Sequence, residues 1–165
     1  MGSKTYSQYL SSSQLFLYKK VNNNFFVLLQ RRKGGWADKM WEAGASGHVD
    51  HGESPTDAII HEAFEEICVK IKERDLKFIG VIHKTIGGKE HAYYNFSFMC
   101  TKWKGIPKIG EPEKASELKW FNIKKLPMNI ISDRKKVLRQ YAKGIYYTNV
   151  NESKKVRNYL FKKSS

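Results

Sequence analysis

The chain has 165 residues, 41% of them hydrophobic, with 30 Lys or Arg against 16 Asp or Glu, a net charge of +14. That length and apolar content suit one domain with its own core and exclude a disordered or fibrous chain. No apolar run approaches the about 18 residues of a membrane span.

The first ten residues, MGSKTYSQYL, carry no apolar signal-peptide segment. Cys68 and Cys100 have no metal-ligand spacing, so a reducing cytoplasm is the expected compartment. The charge is uneven. Residues 1–82 hold 11 basic and 10 acidic side chains, whereas residues 83–165 hold 19 and 6. A basic half favours polyanions such as nucleotides, phosphorylated metabolites or RNA. The lysines are scattered and form no RNA-binding signature, which a solvated surface explains equally.

In chain order, residues 14–20 and 24–32 read as strands, with Asn-rich VNNN as the turn of a hairpin. Residues 32–47 are Gly-rich with two tryptophans and read as a loop. Ser54, Pro55 and Asp57 form the N-cap, first position and capping box of a helix that runs through TDAIIHEAFEEI. Residues 77–86 and 91–103, joined by GGKE, read as a second hairpin. In its second strand Tyr94, Phe96 and Phe98 share a face. A Pro/Gly-bearing loop covers 105–117, a short strand 117–123, and a helix 132–144, capped by Ser132 or Asp133 and ended by Gly144. The basic tail, about 150–165, reads as a short amphipathic helix or a frayed end. No repeat or domain boundary appears, so residues 1–165 are expected to be one mixed α/β domain.

The first helix carries the chemistry. Glu62, Glu65 and Glu66 stand at i, i+3 and i+4 and share a face, while Ile59, Ala63 and Ile67 form an apolar stripe. No Lys or Arg lies between Asp57 and Ile67 to relieve the repulsion. A hard divalent cation turns such repulsion into ligation, because Mg²⁺ prefers carboxylate and phosphate oxygens. The loop GHVDHGE just before the helix adds two glycines and Glu53.

The whole run, Gly47, five residues, Glu53, seven residues and HEAFEEICV, resembles the Nudix box. Gly47, Glu53, Glu62, Glu65, Glu66 and Val69 match its pattern; His61 stands where that box has Arg and Cys68 where it has Gly. The resemblance extends over about residues 12–143. It implies a Nudix-type α/β/α sandwich with a mixed sheet. It also implies a metal-dependent hydrolase that cleaves a pyrophosphate linkage in a nucleoside diphosphate derivative or a related diphosphate. Glu62, Glu65 and Glu66 would hold Mg²⁺ or Mn²⁺, and one of them, or a later glutamate, would activate water. Glu53 would orient the helix through position 61.

His61 is shorter than Arg and is expected to reach Glu53 with weakened orientation. Cys68 is expected to sit at positive φ, at a cost of about 1 kcal/mol. Arg31, Arg32 and Lys33, at the end of the second strand, are candidate phosphate contacts. Trp36, Trp41, Tyr93 and Tyr94 are candidate stacking rings, although core packing is the more ordinary role for any one of them. Among Glu111, Glu113 and Glu117, the last is chosen as the assisting carboxylate. His48, His51, His83 and His91 read as solvated or structural. The expected partner is a small phosphorylated substrate, bound by a monomer or homodimer, with no membrane.

Two other functions compete. One is a non-catalytic module that binds nucleotide or RNA. The other is an isomerase, because WEAGASGHVDHGE also resembles isopentenyl-diphosphate isomerases. Those enzymes place a catalytic Cys before the first Gly, where this chain has Ser46.

Overall fold

The computed structural model describes residues 9–86 and 92–152. Eight strands, β1 (Leu10–Val21), β2 (Asn24–Arg32), β3 (Trp41–Ala43), β4 (Ala45–His48), β5 (Leu76–Ile86), β6 (Ala92–Cys100), β7 (Ala115–Asn122) and β8 (Tyr147–Glu152), join in one mixed sheet. Two α-helices, α1 (Pro55–Ile67) and α2 (Ser132–Tyr141), and a 3₁₀ turn at Glu73–Asp75 complete the fold of the described residues.

β1 organises the sheet. Its first part runs between β6, in parallel, and β4, antiparallel; its last residues turn back into β2. Asn22 and Asn23 both have positive φ (46° and 60°), the backbone a two-residue I′ hairpin needs, and Asn tolerates it better than most residues. β2 takes β7 on one side and β3 on the other. β5 lies between β6, antiparallel, and β8, parallel.

Strand alternation divides the core. Leu15 and Leu17 of β1 pack with Ile59, Ala63 and Ile67 of α1, while Phe16 packs with Val137 and Leu138 of α2. One helix therefore covers each face, the expected α/β/α arrangement. Phe96 and Phe98 join the α1-side core; Tyr94 instead stacks on His83, with ring centres 5.0 Å apart.

Several local expectations change. The stretch 32–47 is not simply a loop, since it contains β3 and β4, strands of three and four residues. Their pairing partners lie in β1 and β2, so the signal is tertiary and not local. β8 was not anticipated either; its polar sequence YTNVNE pairs with one edge of β5. α2 begins after Ile131 with no side-chain cap, because Asp133 is buried in an ion pair and does not serve the helix end. The GGKE turn and residues 153–165, with most of the expected tail helix, lie outside the described residues.

Candidate active site

α1 starts as its sequence predicts. Ser54 Oγ accepts from Asp57 N–H, and Asp57 Oδ2 accepts from Ser54 N–H, each at 3.1 Å. At the other end Cys68 adopts a left-handed backbone (φ 58°, ψ 33°), as expected from its place in the pattern. Cys68 N–H bonds Phe64 O and Val69 N–H bonds Ala63 O, closing the last turn. Two further carbonyls, of Glu66 and Ile67, accept from Gly110 and Lys108. A Cβ at Gly110 would run into Glu65 O, so only glycine lets the 105–114 loop approach this closely.

The three glutamates of α1 have different surroundings. Glu66 is 8% exposed, and its Oε2 accepts from Ser46 N–H (2.7 Å) and Gln30 Nε2 (2.9 Å). Burial, with Glu42 and Glu62 nearby, pushes its pKa up to about 8 despite those two donors. Glu62 is half-buried against β4. A Cβ at Gly47 would collide with its carboxyl, which explains the glycine at this position. Burial and Glu65 push the Glu62 pKa to about 7, against the pull of Lys114. Glu65 is exposed. Among the described residues no three His, Cys, Asp or Glu side chains form a ready-made metal cluster.

Glu62 and Glu66 line a cavity of about 570 Å³ together with Arg32, Trp36, Glu42, Asn95, Lys114 and Arg134. Of the basic residues chosen from sequence, Arg32 reaches this cavity. Its Nη1 binds Glu42 at 2.7 Å and its Nε donates to Trp36 O. Arg31 points away, 3.8 Å from Glu117, its cross-strand partner. Lys33 donates to Pro112 O. Glu117 is thus engaged at the sheet surface, whereas Glu111 is the later-loop carboxylate that acts electrostatically on Glu62. Glu111 Oε1 holds Lys114 at 2.8 Å, and its Oε2 is buried without a partner. Glu53 Oε1, outside the cavity lining, accepts from His61 Nδ1 at 2.7 Å, so His61 does reach it.

Sequence reasoning missed a buried ion network on the α2 side. Lys84, fully buried, binds Asp133 Oδ2 at 3.0 Å; Asp133 also holds Arg134 Nη1 at 3.0 Å; Arg134 reaches Glu42 at 3.6 Å. Burial opposes ionisation of Asp133, but Arg134 and Lys84 outweigh it and hold the carboxyl below its usual range. Glu42 closes the circuit to the acidic helix through Ser46, whose Oγ donates to it at 3.2 Å and whose N–H serves Glu66. Of the candidate rings, Trp41 is core, 6% exposed and edge-on to Phe121, while Trp36 and Tyr93 line the cavity. His48 lines it as well; His91 lies outside the described residues.

The fold and the box match one family. The NUDIX domain model covers residues 15–141, and the chain belongs to that family. Solved structures agree on the fold. A MutT NUDIX hydrolase from Burkholderia pseudomallei is 20% identical with a TM-score of 0.70, over 81% of this chain and 98% of that one. The NUDIX domain of Shewanella oneidensis NrtR, solved with ADP ribose, is 14% identical with a TM-score of 0.66, over 84% and 90%. An Ap4A hydrolase from C. elegans is 17% identical with a TM-score of 0.59, over 82% and 96%. No curated protein matches in sequence. Among the described residues no helix is long and apolar enough to cross a membrane.

Proposed function

We propose that the protein is a metal-dependent pyrophosphohydrolase that cleaves a diphosphate linkage in a nucleoside diphosphate derivative or related compound. One observation carries this reading. Two carboxylates of the box helix, Glu62 and Glu66, line the same cavity as Arg32, Lys114 and Arg134, so acid and base meet where a diphosphate would lie. Family membership supports it, as do the relatives that bind ADP ribose or act on Ap4A.

Burial leaves Glu62 and Glu66 short of counter-charge, and Glu111 Oε2 has no partner. An all-oxygen set of this kind fits Mg²⁺ or Mn²⁺, which keep several waters and share ligands with substrate phosphates, so a closed protein cage is not required. Glu62 and Glu66 would hold the ion from the cavity wall, with Glu65, exposed outside that lining but acting on Glu62, as the third ligand the box pattern implies. When bound, it would neutralise phosphate charge and lower the pKa of water.

The chain's own groups do the rest. Ser46 N–H and Gln30 fix the Glu66 carboxylate, and the bare Cα of Gly47 leaves room for that of Glu62. Arg32, Lys114 and Arg134 present positive charge to the phosphates. Arg32 is held in place by Glu42 and Trp36 O, so little ordering remains when substrate binds. Water gives a proton to a glutamate of the site and adds to one phosphorus, the bridging P–O bond breaks, and its electron pair leaves on the second phosphate.

The test is turnover of a panel of nucleoside diphosphate derivatives and dinucleoside polyphosphates with Mg²⁺ or Mn²⁺. Release of a nucleoside monophosphate or phosphate is the expected outcome. No release from any member, with the metal present and the protein folded, refutes the reading.

A further inference from the structure

The cavity has a second wall that hydrolysis leaves without a task. Asn95 is 2% exposed and part of the cavity lining, yet its Oδ1 is buried without a hydrogen-bond partner. Buried amides are normally satisfied, because each loses its water on folding. Alternation on β6 shows which side it serves. Ser97, two residues on, accepts from Gln14 Nε2, and Gln14 precedes Phe16 of the α2-side core by two. Asn95 therefore meets the cavity from the α2 layer, while Glu62 and Glu66 come from α1.

Its neighbours suit a flat, polar ligand. Tyr93 shares its strand face, and the rings of Tyr93 and Trp36 lie 5.6 Å and 5.3 Å from Lys84 Nζ. Arg134, 6% exposed in the same lining, has a buried Nε with no partner. A carboxamide offers a donor and an acceptor in one plane, the complement of adjacent acceptor and donor on a base edge. Aromatic faces supply stacking for the same ring. An isoprenoid or other apolar group would leave the amide unpaired, and a bare sugar would leave the rings unused.

We infer that Asn95 is a specificity-determining residue of this cavity, reading the hydrogen-bonding edge of a nucleobase that stacks on Trp36 or Tyr93. A nucleotide whose base offers Asn95 a matching hydrogen-bonding edge is then favoured over a diphosphate of an apolar group. This deepens the pyrophosphohydrolase reading and rests on it only for the phosphate end of the ligand.

The test is calorimetric titration of the full chain, in magnesium-containing buffer, with the four nucleoside monophosphates and with ribose 5-phosphate. At least one nucleotide is expected to bind about tenfold or more tighter than ribose 5-phosphate, since a site built to hydrogen-bond penalises a ligand that cannot. Asn95→Leu, of similar volume, should weaken that nucleotide about tenfold and level the affinities of the four bases, leaving the part that comes from stacking. Asn95→Asp, an acceptor only, should reorder the bases. Equal binding of all five ligands by the unmodified protein overturns the inference, as does an unchanged order in the Asp variant. Should the Leu variant fail to fold in a thermal melt, those two arms still decide. Base-selective binding without any turnover would refute the hydrolase reading and leave Asn95 its role. Turnover without base preference would do the reverse.

Discussion

The two helical layers of this molecule handle charge in opposite ways. On the α1 side, Glu62 and Glu66 are gathered with little to neutralise them, and their pKa values rise to about 7 and 8. On the α2 side, Lys84, Asp133 and Arg134 are more deeply buried but paired, and the Asp133 carboxyl is held low. A buried charge that has its partner inside the protein contributes to structure. One that lacks it has capacity left for a ligand. Glu42 stands between the layers, bound to Arg32 and Arg134 and joined through Ser46 to Glu66.

This contrast can be broken from either side. The largest effect is expected at Glu66. Glu66→Gln should lower kcat at least about a thousandfold in the turnover assay, a size typical for loss of a main electrostatic group. In metal-free buffer near pH 9, above the Glu66 pKa of about 8, the same variant should melt higher than the parent, because it removes a buried, uncompensated charge. A lower melting temperature would mean that Glu66 is structural. On the α2 side, Asp133→Ala leaves Lys84 and Arg134 without their carboxylate and should cost about 3–5 kcal/mol in urea unfolding. A cost below about 1 kcal/mol would show that the network is not the anchor of this layer.

Gly47→Ala should displace the Glu62 carboxyl and reduce kcat about a hundredfold, with an unfolding midpoint close to the parent's. The pH dependence of stability sharpens the contrast further. Glu62 and Glu66 have folded-state pKa values of about 7 and 8, above the ordinary carboxylate value of 4.5. The folded, metal-free chain thus binds more protons than the unfolded one between about pH 4.5 and 8, and stability falls as pH rises through that window. Saturating Mg²⁺ should flatten the fall; a fall unchanged by Mg²⁺ would separate these carboxylates from the cation. The smallest effect is at Cys68. Replacing it with Gly removes the cost of a side chain at φ 58° and should stabilise the chain by about 1 kcal/mol in the same urea assay.

How much was legible follows from how local each feature is. The capping box, the apolar stripe and the glutamate spacing of α1 all lie within one helix and its preceding loop, so periodicity alone exposes them. The hairpin at Asn22–Asn23 was legible for the same reason. The α2-side network was not, because its members come from β2, β3, β5 and the start of α2, and Lys84 and Asp133 are 49 residues apart. β3 and β4 are too short to show a period, and β8 has no apolar alternation. Glu111 and Glu117 look alike in sequence. Only the close seating of Gly110 on the end of α1 turns Glu111 toward Glu62 and leaves Glu117 against Arg31. One signal was available and missed: Asn95 and Ser97 are polar at alternate positions of an otherwise aromatic strand, a pattern that marks a polar site on one face.

The proposed function requires that the acidic layer hold a divalent cation. Mn²⁺ binding, followed by electron paramagnetic resonance on the parent protein and on Glu66→Gln, tests it most directly. Saturable binding to the parent that weakens at least about tenfold in the variant is the expected result. Equal binding to both proteins, or no saturable binding to the parent, would contradict it.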